Sequence, residues 1–152
     1  MNRISSQDLG LLLIRLMLGV VFIYHGAPKL FGGLDGFAGY LASLGVPMPQ
    51  VSAFLAAVAE VAGGLVLIAG VAFRYALWPT VFTMLVASFA AHPGKFSVQD
   101  GGMEFALTLG VVTAGLALVG PGRLTVAALL PGRGRGGEAS DASDADTRPQ
   151  EA

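Results

Sequence analysis

Four apolar runs constrain the fold of this 152-residue chain more than any other feature. The first two are long enough to cross a bilayer as helices, which takes about 20 apolar residues. The third and fourth are shorter, but they lack the polar outer face that a helix of a soluble bundle needs. The sequence therefore predicts an all-α, integral membrane bundle of four transmembrane helices, at residues 9–31, 51–73, 76–91 and 104–119.

Composition excludes several classes of function. Only 12% of the residues are charged, whereas globular chains carry about a quarter. The basic residues form no stripe that could neutralise phosphates, so no nucleic-acid partner is expected. The sequence has no cysteine, which excludes disulfides, thiolate metal sites and a thiol relay within this chain. Electrons for any redox reaction must come from a partner redox protein or a soluble reductant.

Charge placement predicts the orientation and the domain organisation. We expect a plasma (inner) membrane location, and the positive-inside rule favours both termini in the cytoplasm. Residues 1–8 then form the cytoplasmic N-terminus and residues 9–130 the membrane domain. Residues 131–152 are rich in Gly, Ser, Ala and Asp, and they predict a disordered acidic C-terminal tail. The basic residues expected on the cytoplasmic side are Arg3, Arg74, Arg123, Arg133 and Arg135, and those expected on the other side are Lys29 and Lys95.

The first loop predicts a short interfacial helix on the outer leaflet. Asp35 can cap this helix, and Gly45 and Pro47 can end it. Its apolar face carries Phe37, Tyr40, Leu41 and Leu44 at helical spacing.

Ionisable residues within or beside the spans are costly unless they are paired or wet, so each is a candidate functional residue. A rise of about 1.5 Å per residue places His25, Glu60, His92 and Glu104, one from each span, roughly 20–24 Å from the cytoplasmic side. The same rise places Arg15 about 9 Å from the cytoplasmic side. Its side chain can snorkel to the inner interface, or it can hold neighbouring helices in register.

The helical angle of about 100° per residue places some of these ionisable residues on faces that point into the bundle. Glu60 shares its face with small residues that let a neighbouring helix approach. We therefore expect Glu60 to point inward, toward His25. Pro28 is expected to stop or kink the first helix near the same depth. A polar pocket open toward the outer face follows.

Imidazoles and carboxylates at one depth are suited to proton handling beside a quinone, which needs a flat apolar slot and proton donors. The predicted catalytic residues are His25, Glu60 and His92. The predicted ligand-binding residues are Phe22, His25, Lys29, Glu60 and Glu104. No helix carries paired metal ligands at His-x-x-x-His or Glu-x-x-His spacing, so no metal is assigned. The alternative interpretation is that these polar contacts only hold the bundle in one register.

The order of several motifs resembles the DoxX family of small four-helix membrane proteins over about residues 9–130. His92 and Glu104 continue the pattern, and Gly-Pro-Gly-Arg at 120–123 closes it. The earlier motifs are Gly-Leu-Leu-Leu-Ile-Arg-Leu-Met-Leu-Gly at 10–19, Tyr-His-Gly-Ala-Pro-Lys-Leu-Phe-Gly at 24–32, Leu-Gly-Val-Pro at 44–47 and Ala-Glu-Val-Ala-Gly-Gly at 59–64.

The resemblance implies a redox association, because the family is named after a subunit of a thiosulfate:quinone oxidoreductase and its relatives are linked to thiol, sulfur and oxidative-stress chemistry. The leading hypothesis is a redox-associated membrane subunit, an oxidoreductase component, with a quinone or similar small molecule in an outer-leaflet pocket. The competing hypothesis is a non-enzymatic scaffold or assembly factor. Glycines at positions 63, 64, 110 and 115 permit close helix contacts within one chain or in a homo-oligomer.

Overall fold

The computed structural model describes residues 4–129, and within that range all regular structure is helical. The all-α prediction is therefore confirmed. The predicted C-terminal tail lies outside the described residues. The helices are α1 (Ser6–Phe31), α2 (Leu34–Ser43), α3 (Pro49–Ala69), α4 (Phe73–Ala76), α5 (Trp78–Val86), a π-helical turn (Ala87–Ala91), a 3₁₀ turn (Val98–Asp100), α6 (Glu104–Val119) and α7 (Val126–Leu129).

Two of these helices, α1 and α3, are long and apolar enough to cross a membrane, and α6 is a shorter apolar helix. The predicted fourth run coincides with α6. The predicted second run is too long, because Gly70 adopts a left-handed conformation with φ of 70° and ends α3. The predicted third run is divided between α4, α5 and the π-helical turn. α1 packs chiefly on α3 and α6 chiefly on α5, while α3 also contacts α2 and α5.

Arg15 anchors the connection that follows α6. Its side chain is buried, and its two terminal nitrogens donate to the carbonyls of Pro121 and Leu124 at 2.5 and 2.8 Å. The last carbonyls of a helix and its connection lack partners within the helix, and a guanidinium can satisfy two of them at once. The snorkelling interpretation is therefore wrong. Asp8 ties the same connection to the start of α1 by accepting from the Arg123 amide at 3.0 Å.

The first loop does contain the predicted short helix, α2, which packs against α3. The predicted cap is wrong, because the helix begins at Leu34. Gly33 occupies the N-cap position, and Asp35 lies within the first turn. Pro28 does not end α1, which continues to Phe31. The amides of Gly32 and Gly33 both donate to the Pro28 carbonyl and close the helix there.

Glycines bring α1 and α3 into backbone contact. A Cβ atom added at Gly64 would lie 2.8 Å from the Gly19 carbonyl oxygen, and one added at Gly19 would lie 2.8 Å from the Gly64 oxygen. A Cβ atom at Gly26 would lie 2.8 Å from the Cβ of Glu60. Small residues permit such close approach between membrane helices. This packing holds Glu60 directly against α1.

We predict that Gly64→Ala lowers the free energy of unfolding by about 1–3 kcal/mol, because the added methyl group must push α1 away from α3. The measurement is reversible unfolding in mild detergent. Gly115→Ala is the matched control, since a Cβ atom at Gly115 meets nothing within 4 Å. The control should be neutral or slightly stabilising, as alanine favours a helix over glycine. Equal losses in the two variants would contradict this account of the α1–α3 contact.

Candidate functional site

A partly buried ion pair joins the end of α1 to the middle of α3. The Lys29 ammonium donates to both carboxylate oxygens of Glu60, at 2.7 and 2.8 Å. The Glu60 side chain is 4% exposed and that of Lys29 is 28% exposed. This is the one ion pair that residues 4–129 contain. A buried charge without a partner is strongly unfavourable, so the buried Glu60 carboxylate depends on the Lys29 ammonium.

Local packing explains how the pair forms. Lys29 lies one turn beyond His25 on the same side of α1, and its long stem can reach back toward α3. Gly26, between them, leaves room for the Cβ of Glu60. The sequence placed Glu60 opposite His25, but its hydrogen bonds go to Lys29. The rise per residue fixes backbone positions only, and the long lysine side chain spans the remaining distance.

Lys29 also contacts the short helix in the first loop. Its ammonium lies 4.8 Å from the centre of the Phe37 ring in α2. Such a cation–π contact adds to the compensation of the charge. One side chain therefore connects α1, α2 and α3.

A cleft of about 160 Å³ lies beside the ion pair, between α1, α3, α5 and α6. Phe22 and Glu60 are buried at its inner end, whereas His25 and Phe105 are exposed at its rim. The rings of His25 and Phe105 lie 5.7 Å apart between centroids, with 55° between their planes. The residues lining the cleft are Phe22, His25, Lys29, Glu60, Met84, Ala87, Phe105, Ala106 and Leu109.

The structure thus brings together four of the predicted site residues: Phe22, His25, Lys29 and Glu60. His92 and Glu104 are not among the residues that line the cleft. The π-helical turn ends at Ala91, and His92 leaves the helical conformation and contacts the Gly101 carbonyl through Nδ1 at 2.6 Å. His92 would share a layer with Glu60 only if one straight α-helix continued up to it, and the π-helical turn replaces that helix.

Sequence reasoning missed five apolar residues of the cleft, which come from α5, the π-helical turn and α6. Nothing in a short apolar run distinguishes a residue that faces a cleft from one that faces lipid or a neighbouring helix. Only the packing of α6 beside α1 identifies Phe105 as a rim residue. The missed residues are Met84, Ala87, Phe105, Ala106 and Leu109.

The chemistry of the cleft is that of an apolar slot with hydrogen-bond donors on one wall. Six of its nine lining residues are apolar, and Lys29 and His25 provide an ammonium and an imidazole. Within residues 4–129 no protein group hydrogen-bonds to the His25 imidazole, which leaves it free to contact a ligand. No three His, Asp or Glu side chains in that part of the chain lie together as a metal site.

Comparison with known proteins adds a family and two relatives. The family model described as DoxX matches residues 10–93. The chain is 38% identical over 76 residues to "Inner membrane protein YphA" of Escherichia coli, covering 46% of this chain and 54% of that protein. It is 34% identical over 70 residues to "Putative oxidoreductase CatD" of Bacillus subtilis, covering 46% of this chain and 50% of that protein. The chain thus spans about half the length of these curated relatives. No solved structure matches it.

The ion pair predicts unequal effects of removing its two members. Lys29→Met should lower the free energy of unfolding by about 3 kcal/mol or more, because the carboxylate of Glu60 is left buried without a cation. Glu60→Gln should cost less, since the partly exposed Lys29 ammonium can turn toward the interface.

The double variant Lys29→Met/Glu60→Gln should be more stable than Lys29→Met alone, because no buried charge remains. Thermal or denaturant unfolding in detergent measures all three variants. Lys95→Met is the control, as Lys95 is exposed in the connection before α6. Strictly additive losses in the double variant would show that the two side chains are not energetically coupled.

Proposed function

The chain belongs to the DoxX family and is a membrane protein, and from that premise we propose that it is a redox-associated subunit that binds a quinone-like molecule beside the Lys29–Glu60 pair. The observation that carries this proposal is the cleft itself. It combines a slot of aromatic and apolar side chains with two hydrogen-bond donors, at His25 and Lys29. Most ligand pockets have this composition: apolar walls with a few convergent polar groups.

Each polar residue of the cleft has a distinct proposed role. His25 donates a hydrogen bond to a ligand oxygen and passes a proton to it, as an imidazole can near neutral pH. Glu60 holds Lys29 in place through both carboxylate oxygens. The ammonium has a further N–H that it can direct at a second ligand oxygen. His92 lies outside this constellation and is not included in the proposal.

The electrons for reduction come from a partner redox protein or a soluble reductant, since this chain has no cysteine to supply a thiol couple. One relative carries the name "Putative oxidoreductase", which agrees with a redox association. We further propose that four spans cross the inner membrane with both termini in the cytoplasm. The cleft would then lie in the outer leaflet, near the C-terminal end of α1.

A non-enzymatic scaffold is the second candidate, and a specific observation favours it. Two buried charged groups find partners within the chain: Glu60 pairs with Lys29, and the two terminal nitrogens of Arg15 donate to backbone carbonyls. Such contacts can serve only to register the helices. In that case Glu60→Ala would reduce the amount of protein and the recovery of its partner together, and no quinone would bind.

Quinone binding tests the first proposal. Purified full-length protein in mild detergent should retain or bind a short-chain quinone, detected by mass spectrometry and titration calorimetry. His25→Leu should weaken binding about tenfold, because leucine has no donor and one hydrogen bond of about 1.4 kcal/mol is lost.

His92→Leu is the control, because it alters the other histidine of the chain, which lies outside the cleft. Its affinity for the quinone should equal that of the wild type. Failure of the well-folded wild type to bind any quinone would overturn the proposal and favour the scaffold. Equal losses in the two histidine variants would overturn the role given to His25.

A further inference from the structure

The Lys29 ammonium has three N–H donors, and Glu60 accepts two of them. Its two carboxylate oxygens lie 2.7 and 2.8 Å from the ammonium nitrogen. Rotation of the ammonium about its Cε–Nζ bond would break these charge-assisted hydrogen bonds, which are stronger than neutral ones. The third N–H therefore points in one direction at a time.

The ring of Phe37 competes with the cleft for this third N–H. The Lys29 ammonium lies over that ring, 4.8 Å from its centre. Phe37 is half-buried in α2 and is not among the residues that line the cleft, whereas Lys29 is. The face of an aromatic ring attracts an ammonium through its negative potential. The contact thus draws the third N–H toward α2, and a ligand oxygen in the cleft must draw it back.

α2 is a helix of low intrinsic stability, so the contact with Lys29 matters to it. It has ten residues, and no side chain caps its first amides. Gly36 and Gly39 lie within it, and glycine is a weak helix former. Ala38 is its one buried residue, and the helix packs chiefly on α3. Helices this short are marginal on their own, so loss of the Lys29 contact should loosen α2.

We infer that Phe37 is a positioning residue of the cleft. Its ring holds the third N–H of Lys29, and a ligand whose oxygen accepts this N–H takes it from the ring and loosens α2. Glu60 keeps both of its hydrogen bonds, and no covalent bond forms or breaks. The inference rests on the proposed function and adds to it a residue outside the cleft and a coupling between the ligand and the first loop.

The direction of the affinity change distinguishes competition from simple support of the fold. Phe37→Leu keeps an apolar side chain and removes the ring, so a decyl-substituted 1,4-benzoquinone should bind about threefold more tightly to full-length protein in lipid nanodiscs. Phe37→Trp should weaken binding by a similar factor, because indole is the better partner for a cation. Tyr40→Leu removes the other aromatic ring of α2 and should leave the affinity unchanged. Weaker binding by Phe37→Leu would overturn the inference.

A fluorinated ring separates the electrostatic contact from packing. Replacement of Phe37 by pentafluorophenylalanine keeps the shape of the ring and removes the negative potential of its face. This variant should bind the quinone more tightly, as Phe37→Leu does, while its thermal unfolding stays close to that of the wild type. The same replacement at Phe31, which is 79% exposed at the end of α1, is the control. An affinity equal to that of the wild type would show that the ring does not compete for the N–H.

Amide hydrogen exchange tests the coupling to α2. In the wild type, saturating quinone should speed exchange of residues 34–43 at least about threefold. In Phe37→Leu these amides should exchange faster without quinone and change little when it is added. The connection at residues 92–103 is the reference and should not respond. Quinone that binds without loosening α2 would overturn this inference alone, whereas failure of the folded wild type to bind quinone would overturn the proposed function as well.

Discussion

The ion pair between Lys29 and Glu60 is the interaction on which the rest of this structure depends. A carboxylate among apolar helices is stable only when a cation and its hydrogen bonds accompany it. Lys29 supplies both, with two contacts of 2.7 and 2.8 Å. The glycines of the α1–α3 contact make this geometry attainable, because they let the helices approach until Glu60 meets Gly26. Register, helix separation and charge compensation are therefore one coupled arrangement. A change in any one of them is expected to affect the other two.

The same arrangement forms one wall of the cleft. A lysine held by both oxygens of a carboxylate has lost much of its freedom, so its remaining N–H is directed without further loss of side-chain entropy. His25, one turn earlier, has no hydrogen-bond partner among the residues that the structure describes. The ion pair therefore stabilises the helix packing and positions the ammonium, whereas the free imidazole is available to a ligand. The ion pair is compatible with both a redox role and a scaffold role. His25 is therefore the residue whose substitution distinguishes the two roles.

Residue patterns predict the architecture better than they predict the site. The all-α class, the short helix in the first loop and the bounds of α6 follow from apolar runs and turn residues. Lys29 and Glu60 stand out in the sequence as charges within or beside apolar runs, but their pairing was missed because the rise per residue gives backbone positions and not side-chain reach. His92 was placed in the cleft layer because a straight helix was assumed where the structure has a π-helical turn. Arg15 was expected to reach water or to register helices, and its partners were backbone carbonyls of a distant connection, which no sequence pattern marks. The apolar lining of the cleft depends entirely on tertiary packing.

The central claim is that Lys29 and Glu60 form an ion pair in the membrane, and solid-state NMR in lipid bilayers tests it most directly. The sequence contains only two lysines, Lys29 and Lys95, so protein labelled with ¹⁵N at the lysine side chains and ¹³C at the glutamate carboxyl groups gives a simple spectrum. We predict that one ammonium signal shows a strong dipolar coupling to a carboxyl carbon. The coupling should disappear in Glu60→Gln and persist in both Lys95→Arg and Glu104→Gln. Absence of the coupling in the wild type, or its persistence in Glu60→Gln, would contradict the account.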